Sequence, residues 1–457
     1  MNSISNLQGV ILAAGEGKRM YSKKPKVLHE ICGITMVEHV CNAARLAGVS
    51  EIIVVTGHGG DEVRKKLQGL KFVNQEKQLG TGHAVMQAEE FIKDGTVFLL
   101  CGDTPLLQAE TLKNMYKFHI AERNQATVLT AKFENPYGYG RIIRDSDGNI
   151  INIVEERDTN SNQKEISEIN SGIYLFEGVL LKKFLKLLNN DNDQGEYYIT
   201  EIIKIFSNKD LKVGGFLIDN SREVMGVNNR LQLSQAEAFT RQKINESHML
   251  KGVTIVDPIN TYIDHTVQLE NDVTILPGCI ISGHTSIKED SVIGPNTHII
   301  SSQIGKNVKI KNSVVVESKI DDGTCIGPYA NLRPGNVIGK NVKIGDFVEM
   351  KNSIFGDNSK ASHLTYIGDG DVGENVNIGC GVVFVNYDGK EKHRTVLEDN
   401  CFIGCNTNLI APVTVGKNSY VAAGTTVTKD VPDTDLAVGR AKQENIAGWV
   451  KRKGLLK

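Results

Sequence analysis

The sequence predicts two folds in series: an α/β half on a mostly parallel sheet, and an all-β half wound as a parallel β-helix. Three observations carry this. In the first half, short β-rich runs ending in Gly or Asp alternate with segments whose apolar residues recur three and four apart. From Ile263 onward the aliphatic residues recur every six positions. Between the halves, Asn228 to Leu250 has helix-forming composition with no internal Gly or Pro, and reads as a connecting helix. The expected boundaries are 1–228, a linker helix at 229–251, and 252–457.

In the α/β half, GVILAAG from Gly9, EIIVVTGHG from Glu51 and TVFLLCGD from Thr96 read as strands. MVEHVCNAARLAG from Met36 and AETLKNMYKFHIAE from Ala109 read as the helices between them. Ligands of such sheets bind beyond the carboxyl ends of the strands, where the Gly15 loop and Asp103 both fall. The loop is not a Walker loop, since Leu12 stands where its first glycine belongs and Arg19 follows Lys18. It is not a dinucleotide fingerprint either, because Met20 takes the third glycine's place. Five cations nevertheless crowd between Lys18 and Lys26, which marks a local anion site. Asp103 alone has a plainer reading as the N-cap of the next helix.

In the all-β half the period runs in three series. The first is Ile263, Leu269, Ile275, Ile281, Ile287, Ile293 and Ile299. The second is Val314, Ile320, Ile326, Leu332, Ile338, Ile344 and Met350, and the third is Leu397, Ile403, Leu409, Val415, Val421 and Val427. A spacing of six suits neither a helix nor a simple strand. It suits a short strand plus a tight turn repeated around a prism, one aliphatic side chain per face pointing inward. Gly after the aliphatic residue, as at Gly294, Gly339 and Gly404, supplies backbone freedom at the corners. Between Met350 and Leu397 the period breaks, and His363, Tyr366, Asn377, Asn386 and Tyr387 gather there, polar groups that a packed coil does not require. After Val431 the period is lost, and the terminal KRKGLLK reads as a solvated end.

Composition bounds the function. A chain of 457 residues needs two or three domains. Net charge of -2 gives no global reason to bind nucleic acid or a membrane surface, and no apolar run approaches the ~20 residues of a membrane span. Eight cysteines without a C-x-x-C pair read as free thiols of a reducing cytoplasm.

LAAGEGKRM followed by PKVLH resembles the signature of sugar-phosphate nucleotidyltransferases. The resemblance implies that Leu12, Ala13, Ala14 and Gly15 wrap a nucleoside triphosphate while Arg19 and Lys26 act on its phosphates; Lys18 stands where that family has Thr. QLGTGHA, with Gln75 upstream, resembles the uracil-recognition segment, implying base contacts from Gln75, Gly80 and Thr81. By the same resemblance Asp103 in CGDTPL and Asn228 in GVNNRLQL hold Mg²⁺, and Gly140, Glu155 and Asn170 hold the sugar. The chemistry would be in-line attack of a sugar-1-phosphate oxygen on the α-phosphorus of UTP, with positive charge stabilising the departing pyrophosphate.

Hexapeptide repeats with this insertion resemble the acyltransferase half of a bifunctional family that joins N-acetylglucosamine-1-phosphate uridylyltransferase to glucosamine-1-phosphate acetyltransferase. The resemblance runs from Leu12 to Trp449 and implies a left-handed β-helix. Position by position it implies that Arg333 and Lys351 bind the sugar's phosphate and that Tyr366 and Asn377 complete the sugar pocket. His363 would be the general base, with Glu349 orienting or polarising the amine. Asn386, Tyr387, Ala423 and Arg440 would contact acetyl-CoA, the co-substrate, together with Cys380 and Cys405. Cys405 stands where serine is common in the family, and Cys380 where another small residue is. An acetyl-cysteine intermediate is the less economical alternative to direct attack assisted by His363. The resemblance further implies a cytoplasmic homotrimer acting on UTP, glucosamine-1-phosphate, N-acetylglucosamine-1-phosphate and acetyl-CoA. Two rivals remain at this level: a monofunctional nucleotidyltransferase with a structural or regulatory β-helix, and a scaffold that senses UTP without turnover.

Overall fold

The computed structural model describes residues 7–192 and 194–457. The chain forms two compact units that meet in sequence at Thr240 and Arg241, within the helix Arg230–Met249.

The first unit is built on a nine-stranded sheet. Its main order is Val213–Ile218, Ala126–Lys132, Glu168–Glu177, Thr96–Cys101, Leu7–Ala13, Glu51–Thr56 and Lys71–Asn74, and Arg141–Arg144 and Ile150–Val154 attach at one side. All pairs along this order are parallel except those of Glu168–Glu177, which runs antiparallel to both neighbours. Leu7–Ala13 lies between two parallel partners and is apolar on both faces, as a central strand buried by helices must be. Helix Met36–Leu46 starts at a capping box of Thr35 and Glu38 and buries Val37, Val40, Cys41 and Ala44. Helix Ala109–Ala121 has Gln108 at its N-cap, so Asp103 is not the cap that its position before the helix suggests.

In the second unit three parallel sheets of 11, 10 and 9 strands stand side by side, each strand pairing with its counterpart one coil later. The register stacks Ile275, Ile293, Ile310 and Ile326 in one column and Ile281, Ile299 and Val315 in another. These residues are almost wholly buried and form one continuous core. Inside the corners, buried hydroxyls replace water: Ser291 Oγ accepts from Val308 N at 3.0 Å and Ser359 Oγ from Val376 N at 2.8 Å.

Three details depart from strict sixfold spacing. Val314 is exposed and Val315 fills the core instead, because several steps take five residues. The coil also continues through the apparent break: Phe355, Ala361, Ile367, Val372, Ile378 and Phe384 all point inward, and only the loop from Asn386 to Arg394 leaves the prism. One further short strand, Leu436–Ala437, pairs with Tyr420–Val421 beyond the expected end of the period. The corner glycines divide by cause. Gly294 needs its positive φ of 108°, whereas Gly339 and Gly404 have no such φ. There a Cβ would strike the next coil, 2.9 Å from Asp357 N or 2.7 Å from Val421 O. Left-handed corners are supplied mainly by Asn and Asp, such as Asn341 and Asn406, which tolerate that region best among residues with a side chain.

Candidate active sites

In the first unit a cavity of about 290 Å³ opens at the carboxyl end of Leu7–Ala13. Leu12, Ala13, Ala14, Gly15, Lys26, Gln75, Gly80, Thr81 and Asp103 all line it, and so do Gln78, Cys101 and Glu196, which motif reading missed. The Gly15 loop folds back over Lys26 because Gly17, at φ 64°, has no Cβ; one there would lie 2.6 Å from Lys26 Cβ. Lys18 turns outward to an ion pair with Glu16 at 2.7 Å. Gln75 is buried, its Nε2 donating to Gly80 O at 3.1 Å. Thr81 Oγ1 accepts from Ile199 N at 3.1 Å, and Gly82 N donates to Tyr197 O at 2.7 Å, so the segment 79–82 is clamped to 196–199.

At the mouth of this cavity the Lys26 ammonium donates to Asp103 Oδ2 and, at 3.0 Å, to Asn228 Oδ1. Arg19 Nη2 donates to the same Asn228 oxygen at 3.0 Å. Asp103 and Asn228 are held near each other by Val227 N, which donates to Asp103 O at 2.9 Å. Gly140, Glu155 and Asn170 form a second group. Gly140 O accepts from Asn170 N at 2.9 Å, and a Cβ on Gly140 would lie 3.5 Å from both Asn170 Cβ and Glu155 Oε2. Burial pushes the Glu155 carboxyl up from the ordinary carboxylate range, against the pull of the Thr200 hydroxyl, which donates to it at 3.1 Å.

In the second unit the strands Asn331–Leu332, Glu349–Lys351 and Tyr366–Gly368 are consecutive rungs of one face. Glu349 lies opposite Tyr366, and Arg333 Nη1 donates to Glu349 Oε1 at 3.0 Å. Gly368 has no side chain because Tyr366 and Asn386 fill its place. Asn386 Nδ2 donates to Asp369 Oδ2 at 2.6 Å, and Asn352 Nδ2 to Asp369 Oδ1 at 2.6 Å. The protruding loop bends back at Tyr387, which bridges to Lys392. This sets the Lys392 ammonium beside Lys351 and, with Arg333 adding to it, lowers the Lys351 pKa from its ordinary value. Three cations thus converge; with Arg333 already paired to Glu349, a dianionic phosphate would balance the charge of the two lysines. Lys392 carried no motif signal; it is found only once the loop has folded.

His363 is exposed at the corner beside this face, and its Nδ1 lies 2.6 Å from Asp346 Oδ1. An ionised carboxylate only accepts, so the ring proton sits on Nδ1 and Nε2 is left free to take another. The bond from His363 draws the Asp346 carboxyl below its ordinary range. Asp346 was not singled out by any motif, yet it pairs with His363 in register one coil earlier. Because Ala361, Ile378, Ile403 and Val421 stack in register, His363, Cys380, Cys405 and Ala423 form one corner column. Arg440 donates to Ala423 O at its end. Tyr387 OH is turned to Gly389 O at 2.8 Å. Asn377 stands apart from Tyr366, on the face that carries Lys343 and Lys360.

A cavity of about 290 Å³ at the end of a parallel sheet, followed in sequence by a prism of short parallel strands, fits a nucleotidyltransferase joined to a hexapeptide-repeat transferase. Residues 8–221 match the nucleotidyl transferase family, and residues 394–429 match the bacterial transferase hexapeptide family of six repeats. The chain is 53% identical over 450 residues to the bifunctional protein GlmU of Clostridioides difficile (strain 630), covering 98% of both. It is 51% identical to that of Caldanaerobacter subterraneus subsp. tengcongensis, covering 98% of this chain and 99% of the relative. With that of Acetivibrio thermocellus the identity is 52%, over 99% of this chain and 98% of the relative. The chain belongs to the bifunctional GlmU family. Its all-β half is accordingly a left-handed β-helix of hexapeptide repeats.

Proposed function

We propose that the chain carries out two successive steps of UDP-N-acetylglucosamine synthesis. The β-helix half moves the acetyl group of acetyl-CoA to the amine of glucosamine-1-phosphate. The α/β half couples the resulting N-acetylglucosamine-1-phosphate to UTP and releases pyrophosphate. The observation that carries this reading is likeness over both halves together to relatives named bifunctional, at half identity or more. The domains are assigned as 1–228 for uridylyl transfer, 229–251 as linker helix and 252–457 for acetyl transfer.

In acetyl transfer Arg333, Lys351 and Lys392 hold the sugar phosphate and Tyr366 the sugar, while Asn377, on another face of the prism, can meet such a sugar only across a subunit boundary. The amine's lone pair attacks the thioester carbonyl while His363 Nε2 takes the proton from nitrogen, and the carbon–sulfur bond breaks to release CoA. Asp346 is a positioning residue that holds a ring proton on Nδ1, so that in the neutral ring the lone pair lies on Nε2. Cys380, Cys405, Ala423, Asn386, Tyr387 and Arg440 form the acetyl-CoA wall. In uridylyl transfer the Leu12–Gly15 backbone, Arg19 and Lys26 hold the triphosphate, Gln75, Gly80 and Thr81 the base, and Gly140, Glu155 and Asn170 the sugar. The residues fit Mg²⁺: Asp103 Oδ2 and Asn228 Oδ1 are hard oxygens that already converge on one cation, the Lys26 ammonium. When bound there, the metal supplies charge neutralisation at the phosphate oxygens.

The assembly is a homotrimer in the cytoplasm, a placement supported by eight free cysteines. No helix among the described residues is long and apolar enough to cross a membrane. Separation of function tests the reading. His363→Ala lowers acetyl transfer by about 10²–10⁴-fold and spares uridylyl transfer. Asp103→Ala does the reverse. Near-normal pyrophosphate release by Asp103→Ala would remove the metal role, and full acetyl transfer by His363→Ala would remove the base.

A further inference from the structure

One cation already occupies the mouth of the nucleotide cavity. Lys26 Nζ is shared between Asp103 Oδ2 and Asn228 Oδ1, the two oxygens assigned above to Mg²⁺. The Lys26 and Asp103 side chains are only 14% and 22% exposed, so water screens this pair little. Arg19 meets Asn228 but has no bond to Asp103, and Lys18 is paired with Glu16. The base of the Lys26 side chain is pinned under Gly17, so only its flexible stem can move. An ammonium seated between two oxygens and a dication bound to the same oxygens exclude each other by sterics and by charge.

We infer that Lys26 is a resident cation that holds the divalent-metal position in the nucleotide-free protein and gives it up when a triphosphate enters. This rests on the reading of Asp103 and Asn228 as metal ligands. An incoming triphosphate offers Lys26 anionic oxygens within the cavity it already lines. The same phosphates complete the metal's oxygen shell. Metal and nucleotide therefore enter together, and a dication alone is poorly retained. The Asp103 and Asn228 oxygens meanwhile stay paired with Lys26, so the carboxylate is not left unneutralised before a metal and nucleotide enter.

The test uses Mn²⁺ alone, without nucleotide, titrated into the full chain and read by the electron spin resonance of free Mn²⁺. Lys26→Met is expected to bind Mn²⁺ about tenfold or more tightly than the wild type. Lys18→Met, which removes a charge from the same loop without vacating the position, should change affinity less than about threefold. Lys26→Gln repeats the test should the methionine variant fold poorly. Unchanged or weaker binding by both Lys26 variants overturns the inference, and so does equal tightening by Lys18→Met, which would reduce the effect to diffuse charge. Adding Asp103→Asn to Lys26→Met should abolish the gain. If the gain survives that change, the ion lies elsewhere and the metal assignment itself fails.

Discussion

Gly368→Ala probes the acetyl-transfer site without replacing any residue assigned to it. A Cβ at Gly368 would lie 2.5 Å from Tyr366 Oη and 2.7 Å from Asn386 Nδ2, where ordinary contact begins at 3.4 Å. The two side-chain tips must therefore move by about 0.9 and 0.7 Å, the differences between those distances. Tyr366 Cζ is 2.7 Å away as well, so the phenol ring itself must turn, while Gly368 has no positive φ and its backbone accepts alanine. Overpacking at this buried position should cost about 1–3 kcal/mol of stability. Function should not be spared, because a displacement near 1 Å at a positioning group costs up to about 10²-fold in rate. Acetyl transfer, followed as thiol release from acetyl-CoA, is expected to fall about 10- to 100-fold, with uridylyl transfer unchanged. Wild-type thiol release from a folded Gly368→Ala protein would refute the placement of Tyr366 and Asn386 in the sugar and acetyl-CoA pocket.

Asp346→Ala should lower kcat of acetyl transfer about tenfold, a smaller loss than for a buried dyad because water reaches the pair, and Asp346→Asn, which keeps an acceptor oxygen, should restore most of it. An unchanged kcat, or a change confined to KM for the sugar phosphate, would deny Asp346 its positioning role. The Lys351 pKa lies below its ordinary value because Lys392 is beside it, so protonated Lys351 is lost as pH rises sooner than for an isolated lysine. KM for glucosamine-1-phosphate should therefore climb early on the alkaline side, and Lys392→Met should move that climb to higher pH; a profile unmoved by Lys392→Met contradicts the cation cluster.

Much of the fold was legible because hydrophobic burial has a period. Aliphatic residues six apart marked a prism, and apolar runs ending in Gly or Asp marked parallel strands with ligand positions at their ends. What periodicity could not show was where a turn drops one residue. Val314 and Val315 are equally apolar, and only stacking on Ile299 selects the second. Corner glycines looked alike in sequence but answer to different forces, a positive φ together with a neighbouring coil at Gly294 and a neighbouring coil alone at Gly339 and Gly404.

The sites divide in the same way. The phosphate loop was readable because its cations and glycines are contiguous. Asp346 was not, because its partner His363 is one coil away and the pairing depends on coil length. Lys392 was hidden too, as it reaches Lys351 only after the loop bends back at Tyr387. Asp369, which fixes Asn386 and Asn352 from a buried position, had no signal beyond its charge.

The most direct measurement supplies one preparation with glucosamine-1-phosphate, acetyl-CoA, UTP and Mg²⁺ and follows free thiol and pyrophosphate together. Thiol should appear at once, with pyrophosphate following after a lag and only when acetyl-CoA is present. Pyrophosphate formed from glucosamine-1-phosphate at the same rate without acetyl-CoA, or no thiol release at all, would contradict the account of two transferases acting in sequence on one chain.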